Sequence, residues 1–418
     1  MNSIIKKEYN LEALRGYSAL FVVIGHIILY NKYLDPNYFP KLLYSFQVPG
    51  HVCVLVFFVL SGYVIGISNK QKLNKTGIKI YLKKRFVRIY PIYITSILLA
   101  LLVATSNYSL STIFYHLTFT QILFSPVIAE NSPIWSLHYE ILYYLLFIPI
   151  AYYSLSPLII ATLSITIGLI NFYFYSILNI PIVTSYLFGF TFWLCGLIIA
   201  KLFNTKELNT NFTLLLSNLF LMLSLGFYNS LTSITAKIAQ LVFNHYFEFA
   251  PNIYWFKRAI TFLDLTYLPY CIMFIIVFSG YTFKYKKPIL IFLQLLPLIK
   301  ISLLGFLYFS NNHSLVYTTE FTGSAIYYVI SLFLFFINSE KLEVIATYII
   351  KFGIWIGSIS YGIYIIHFPI LIIFKQINFF SGSILSFIVR VVLFISLTFF
   401  ISYLLEKKFQ PWVKRAID

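Results

Sequence analysis

The sequence predicts an all-α fold, a polytopic transmembrane helical bundle of about 10–12 spans with both termini in the cytoplasm. Three observations carry this. Of the 418 residues, 60% are hydrophobic and only 10% are charged, with a mean hydropathy of +0.85; a water-soluble domain carries about 25% charge. The apolar residues come in runs of about 20, the length of a membrane span. The 30 Lys and Arg outnumber the 13 Asp and Glu, for a formal net charge of +17, and they crowd the short stretches between apolar runs. That is the bias of cytoplasmic loops and of contact with anionic lipid, so no nucleic-acid partner is expected. The 44 Phe and 35 Tyr suit lipid-facing surface and interfacial belts.

Apolar windows fall at 11–30, 48–68, 88–106, 135–155, 157–177, 182–203, 211–229, 263–283, 288–309, 319–337, 353–374 and 382–404. The fourth and fifth meet at Ser154-Leu155-Ser156-Pro157, which fits a tight hairpin or one broken helix. Stretches 107–134 and 230–262 suit interfacial helices. No repeat, low-complexity linker or fused soluble domain is visible, so one transmembrane domain over 1–418 is expected. Lys6 and Lys7 ahead of an apolar run imitate a signal peptide, but Glu12 and Arg15 inside the run, with no small-x-small cleavage site after it, favour a retained first helix. Cys53, Cys195 and Cys271 lie in apolar runs without paired spacing, implying neither a disulfide framework nor a metal site. The segment Asn69 to Arg88 holds eight cations and no acid, which assigns it to the cytoplasm. Counting spans from there puts the N-terminus, 201–206, 284–287, 341–351 and 407–415 on the same side; Lys257 and Arg258, in a long loop, are the exception.

The first span carries Arg15 and His26, eleven residues apart. Eleven steps of about 100° are three turns plus about 20°, so both side chains share one face, separated by roughly 16 Å along the axis. Polar groups in hydrocarbon mark function by default; a snorkelling arginine and a histidine bonded to a neighbouring helix is the competing reading. Asn10 is the expected N-cap, with Glu12 in the first turn able to reach Arg15.

In the second span, Ser61 and Gly62 suggest a close helix contact. Where the basic segment enters the third span, Arg85 and Arg88 share a face, with Lys84 one turn before Arg88. Two guanidinium forks suit a phosphate or pyrophosphate, and membrane anchoring is the alternative. The fourth span opens Trp135-Ser136-Leu137-His138-Tyr139-Glu140, with Ser136 and Glu140 one turn apart and Glu140 at a depth close to that of His26. Glu140 reads either as the partner that orients His26 or as half of a structural ion pair. The eleventh span holds Ser360, Tyr364 and His367 at i, i+4 and i+7, beside Tyr361, as a site stripe or as packing glue. His51, His116, His138, His245 and His313 fall near span ends or in loops, where water can satisfy them.

Together these segments resemble the acyltransferase-3 family of bacterial integral-membrane O-acyltransferases. The matching motifs are Leu11-Glu12-Ala13-Leu14-Arg15-Gly16 with Gly25-His26, Phe57 to Tyr63, Arg85 to Pro91, Trp135 to Glu140 and Ser360 to His367, in the family's order. The resemblance implies an enzyme of the bacterial cytoplasmic (inner) membrane that moves an acyl group, usually acetyl, from acyl-CoA to a hydroxyl of a cell-envelope glycan or lipid-linked sugar. It implies that His26 is the essential histidine, which reads as a general base with an acyl-histidine intermediate as the alternative; Glu140 as its catalytic partner follows from depth rather than from the resemblance. Arg15, Arg85 and Arg88, with Lys84, would hold acyl-CoA, while Ser61, Trp135, Ser136, Tyr361, Tyr364 and His367 would line the substrate pocket or pack helices. Acyl-CoA is the cosubstrate expected, with no metal; the partners expected are the glycan, membrane lipids and separate envelope-assembly proteins. Glu12 stands where many members have Asp. A transporter or flippase using Arg15, His26 and Glu140 as a substrate or proton path is the rival from another class.

Overall fold

The computed structural model describes residues 2–174, 180–203, 205, 207, 209–243, 255–309, 320–337 and 339–417. It is all-α: 81% is helical, with no strand among the described residues. In order, the helices are α1 (Asn2–Leu29), α2 (Gly50–Ser68), α3 (Lys75–Leu102), α4 (Leu110–Leu117), α5 (Gln121–Phe124) and α6 (Trp135–Tyr152). There follow α7 (Pro157–Tyr173), α8 (Pro181–Leu202), α9 (Phe212–Tyr228), α10 (Ser230–Phe243), α11 (Leu268–Phe278) and α12 (Lys286–Leu295). The last are α13 (Pro297–Phe309), α14 (Glu320–Phe336), α15 (Glu340–Gly357), α16 (Ser360–Gln376), α17 (Ile384–Leu404) and α18 (Gln410–Ile417). Among the described residues, eight helical stretches are long and apolar enough to cross a membrane, or up to nine if the bent pair α15–α16 is one span. Three further apolar helices, Pro157–Tyr173, Phe262–Phe278 and Thr322–Phe336, are shorter. The apolar windows of the sequence thus fall on helices, three of them below spanning length.

The chain divides into two compact units. Unit one comprises Met1–Leu14, Leu42–Lys70 and Ser156–Ile354; unit two comprises Arg15–Lys41, Gln71–Leu155 and Trp355–Asp418. Within unit one, α2 and α8 meet backbone to backbone. A Cβ on Gly62 would stand 1.8 Å from the Trp193 carbonyl oxygen, and one on Gly196 would stand 1.9 Å from that of Val59. Gly62 and Gly66 on α2, opposite Gly196 and Ala200 on α8, form the small-xxx-small arrangement that lets membrane helices approach closely. The indole of Trp193 donates to Ser61 Oγ at 3.3 Å, so Ser61 works at this contact. α9 and α14 exchange serine bonds, each of Ser217 and Ser331 donating to the other's carbonyl at 2.8 Å.

Unit two is tied by polar groups. Asp35, with no exposed surface, accepts from the amides of Asn37, Tyr38 and Gly382 and, at 2.6 Å, from Ser386 Oγ. Arg390 on α17, 3% exposed, donates to the carbonyls of Phe380, Leu34, Phe374, Ile377 and Phe379. All five guanidinium N–H groups are used. The segment after α1 is thereby joined to the α16–α17 connection.

Three expectations need correcting here. Asn10 is not an N-cap, because α1 already runs from Asn2. The basic segment before the third span is largely helix: Asn74 caps α3 by accepting the Gly77 amide at 2.7 Å, and the helix starts at Lys75. Hydropathy sees the apolar half of such a helix only, while Lys, Arg and Leu are good helix formers throughout. His51, His116 and His138 are held by protein rather than water: His51 by Asp264 at 3.0 Å, His116 by the Thr112 carbonyl and the Ile128 amide, and His138 by the Phe119 carbonyl. His245 and His313 lie outside the described residues.

Candidate functional site

All the polar site candidates except Ser61 belong to unit two. The centre is a pair of histidines. His26 on α1 and His367 on α16 stack with ring centroids 5.1 Å apart and planes 9° off parallel, and His26 Nδ1 lies 2.8 Å from His367 Nε2. His367 is fully buried, whereas His26 keeps partial exposure.

The protons on this pair follow from one carbonyl. His367 Nδ1 lies 3.0 Å from the carbonyl oxygen of Ile363, which only accepts, so Nδ1 carries the hydrogen. In a neutral ring Nε2 is then the acceptor, and His26 Nδ1–H must be the donor to it. That leaves the lone pair of His26 on Nε2, the nitrogen away from His367. The arrangement is a base oriented by a second group and stabilised when it takes a proton.

Glu140 was the expected partner of His26. The structure places His367 there instead, and the Tyr144 hydroxyl donates to Glu140 at 2.5 Å one turn further along α6. The exchange follows from helix register: Ser136, not Glu140, is level with the stripe on α16. Ser136 Oγ and Tyr364 Oη are 2.6 Å apart, and both hydroxyls reach the Pro133 carbonyl, at 3.4 and 3.0 Å. Tyr361, one turn earlier on α16, donates to the Ile89 carbonyl of α3 at 2.9 Å. Trp135 is buried edge-on against Tyr139, 5.5 Å between centroids. The stripe on α16 therefore joins α1, α3 and α6 around the histidine pair.

The opposite end of unit two holds the arginines. Arg85 and Arg88 meet different neighbours. The Arg85 guanidinium sits 5.9 Å from the ring centroids of both Tyr81 and Tyr144, a cation–π sandwich, and its Nε is a buried donor without a hydrogen-bond partner. Arg88 and Lys84 are exposed. Arg88, Lys407 and Arg15 all act electrostatically on one carboxylate, Glu406, which accepts the Gly362 amide in the first turn of α16 at 2.7 Å. Arg15, Arg88 and Lys407 thus converge on Glu406 as a cationic group. Such a set fits phosphate. Among the described residues no group of three or more His, Cys, Asp and Glu side chains could hold a metal ion.

Sequence reading passed over Glu406 and Arg390. Each carried a signal: Glu406 is an acid at the start of the basic tail, and Arg390 is the lone charge in the last apolar window, where an ionisable group is expected to have a job.

Comparison with known proteins agrees with this chemistry. No solved structure matches the chain. Acyltransferase MdmB of Streptomyces mycarofaciens is 29% identical over 149 residues, covering 33% of this chain and 38% of that protein. The chain therefore matches well under half the length of this relative. The family described as "Acyltransferase domain" matches residues 8–251, more than half of the chain and inclusive of Arg15, His26, Arg85, Arg88 and Glu140. With its membrane-length helices, this chain belongs to the acyltransferase-3 family of membrane acyltransferases.

Proposed function

We propose that the chain moves an acyl group, acetyl by family habit, from cytoplasmic acyl-CoA to a hydroxyl of a cell-envelope glycan or lipid-linked sugar, in the bacterial cytoplasmic membrane. The observation that carries this reading is the His26–His367 bond, which leaves a partly exposed imidazole with its lone pair on Nε2. The hydroxyl gives its proton to Nε2 as its oxygen attacks the thioester carbonyl. The tetrahedral intermediate collapses with cleavage of the C–S bond, and the proton passes from the imidazolium to the departing thiolate. His367 accepts from Nδ1–H throughout and steadies the cation. At the other end, Arg15, Arg88 and Lys407, with Lys84 and the buried Nε of Arg85, supply donors for the phosphates of acyl-CoA. Arg15 and His26 are roughly 16 Å apart along α1, a distance for the pantetheine arm to bridge.

Transfer of labelled acetyl from acetyl-CoA to surface glycan, measured in membranes with matched protein levels, tests the reading. His26→Ala should lower it by about 10²–10⁴-fold. His367→Leu should lower it by about 10–100-fold, with His367→Gln, which still offers an acceptor to Nδ1–H, in between. Unchanged transfer in His26→Ala would sink the proposal.

A further inference from the structure

At the end of unit two where α1 stops, the His26 imidazole opens a run of aromatic rings. Tyr30 lies 5.9 Å from it between centroids, and Tyr33 lies 4.9 Å beyond Tyr30. Phe368, buried, packs against all three. Tyr30 and Tyr33 are only half-buried, so Phe368 forms a floor and the tyrosines keep surface for a ligand. Lys375 ends the run, its Nζ 4.3 Å above the Tyr33 ring.

Charge at this end is one-sided. Among the described residues here, Lys32, Lys41 and Lys375 are exposed. The acids are turned inward: Asp35 is spent on Ser386 and backbone amides, and Glu130, 6% exposed, on Tyr108 at 2.5 Å. Arg390 is buried on five carbonyls. The charge bias that orients membrane helices puts cations at the opposite end, with Lys70 to Arg88. It gives no reason for an exposed lysine, Lys375, at the end of the aromatic run that His26 opens.

We propose that this surface is the acceptor subsite and that it selects a sugar carrying an acidic group. The apolar face of the pyranose rests on Tyr30 and Tyr33, the anionic group meets Lys375, and a ring hydroxyl reaches His26 Nε2. An ammonium is a point charge that takes carboxylate and phosphate alike, so both acids fall in the class. The inference rests on the acyl-transfer reading for its location, and binding is measured apart from transfer so that the two can fail separately.

The full chain in nanodiscs of zwitterionic lipid, without acyl donor, is titrated with three probes: trigalacturonate, its neutral galactose counterpart and mannose 6-phosphate. The two acidic probes are expected to bind, trigalacturonate about fivefold more tightly than its neutral counterpart, with the preference fading in salt. Lys375→Gln should abolish the preference for the acidic probes. Tyr33→Leu should weaken every probe about fivefold while Tyr33→Phe retains binding. Equal binding of acidic and neutral sugars, or a preference that survives Lys375→Gln, overturns the proposal. Acid-selective binding with no labelled transfer from acetyl-CoA upholds the subsite and removes the transfer reading. Transfer without acid selectivity does the reverse.

Discussion

Unit one and unit two differ in where their tightest joints lie. In unit one, beside side-chain bonds such as those between Ser217 and Ser331, helices close to backbone contact: Gly62 and Gly196 leave no room for a Cβ, and Gly323 faces the Ser45 carbonyl at 1.7 Å from where its Cβ would be. In unit two the joints are side chains bonding across helices, namely His26 with His367, Ser136 with Tyr364, Tyr361 with Ile89, and Arg390 with five carbonyls. Backbone contact tolerates no added atom but carries no chemistry. Polar joints cost more to bury, and they leave donors, acceptors and bases in place. The residues with acyl-transfer potential fall in the second kind of packing.

The largest effect is expected where this contrast is sharpest. Gly196→Leu drives a side chain into the Val59 carbonyl and the Tyr63 amide, at about 3 kcal/mol or more. The chain's cysteines, Cys53, Cys195 and Cys271, all lie in unit one, with Cys53 and Cys271 buried. Their maleimide labelling should rise sharply in this variant. Protection equal to wild type would show that the glycine contact does not set the packing.

Arg390→Met is the counterpart in unit two. It keeps the aliphatic bulk and removes all five donors, and losing charge-assisted bonds should cost about 2–3 kcal/mol. A lower thermal midpoint and weaker acyl transfer are expected, with cysteine labelling near wild type. Equal loss of cysteine protection in both variants would erase the distinction between the units.

Much of the fold was legible. Hydropathy windows located the helices because a span must be apolar over its length, and the five motifs named the histidines, the arginines and the α16 stripe. What escaped detection was pairing at long range. His26 and His367 are 341 positions apart, and periodicity places each on a face without saying which face meets which. Similar depth suggested Glu140 as the partner, yet depth alone does not fix helix register. The start of α3 was missed because charged helix turns have no hydropathy signal. His116 and His138 looked solvated because a loop position does not reveal a buried one, and unit two is assembled from three separated stretches of sequence.

The smallest effect tests whether polar packing makes unit two sensitive to acid. His116, in α4 and outside the spanning helices, is fully buried. Its Nδ1–H donates to the Thr112 carbonyl at 2.8 Å, and its Nε2 accepts the Ile128 amide at 3.0 Å. Both nitrogens are thus satisfied in one neutral tautomer, and burial holds the imidazole below its ordinary pKa of about 6.5. A proton on Nε2 would turn an acceptor into a donor facing an N–H. The unfolded segment therefore binds a proton at higher pH than the folded one. His116 contributes its stability fully above about pH 6.5, and that contribution falls as the pH drops toward the folded-state value. Protection over this segment therefore falls as the pH is lowered from about 7 toward about 5.5. Hydrogen exchange over residues 110–134, corrected for intrinsic rates, should show this slope in wild type. It should vanish in His116→Leu, even though that variant is less stable overall. A slope that persists without the imidazole would assign the acid response to another group and remove His116 from the comparison.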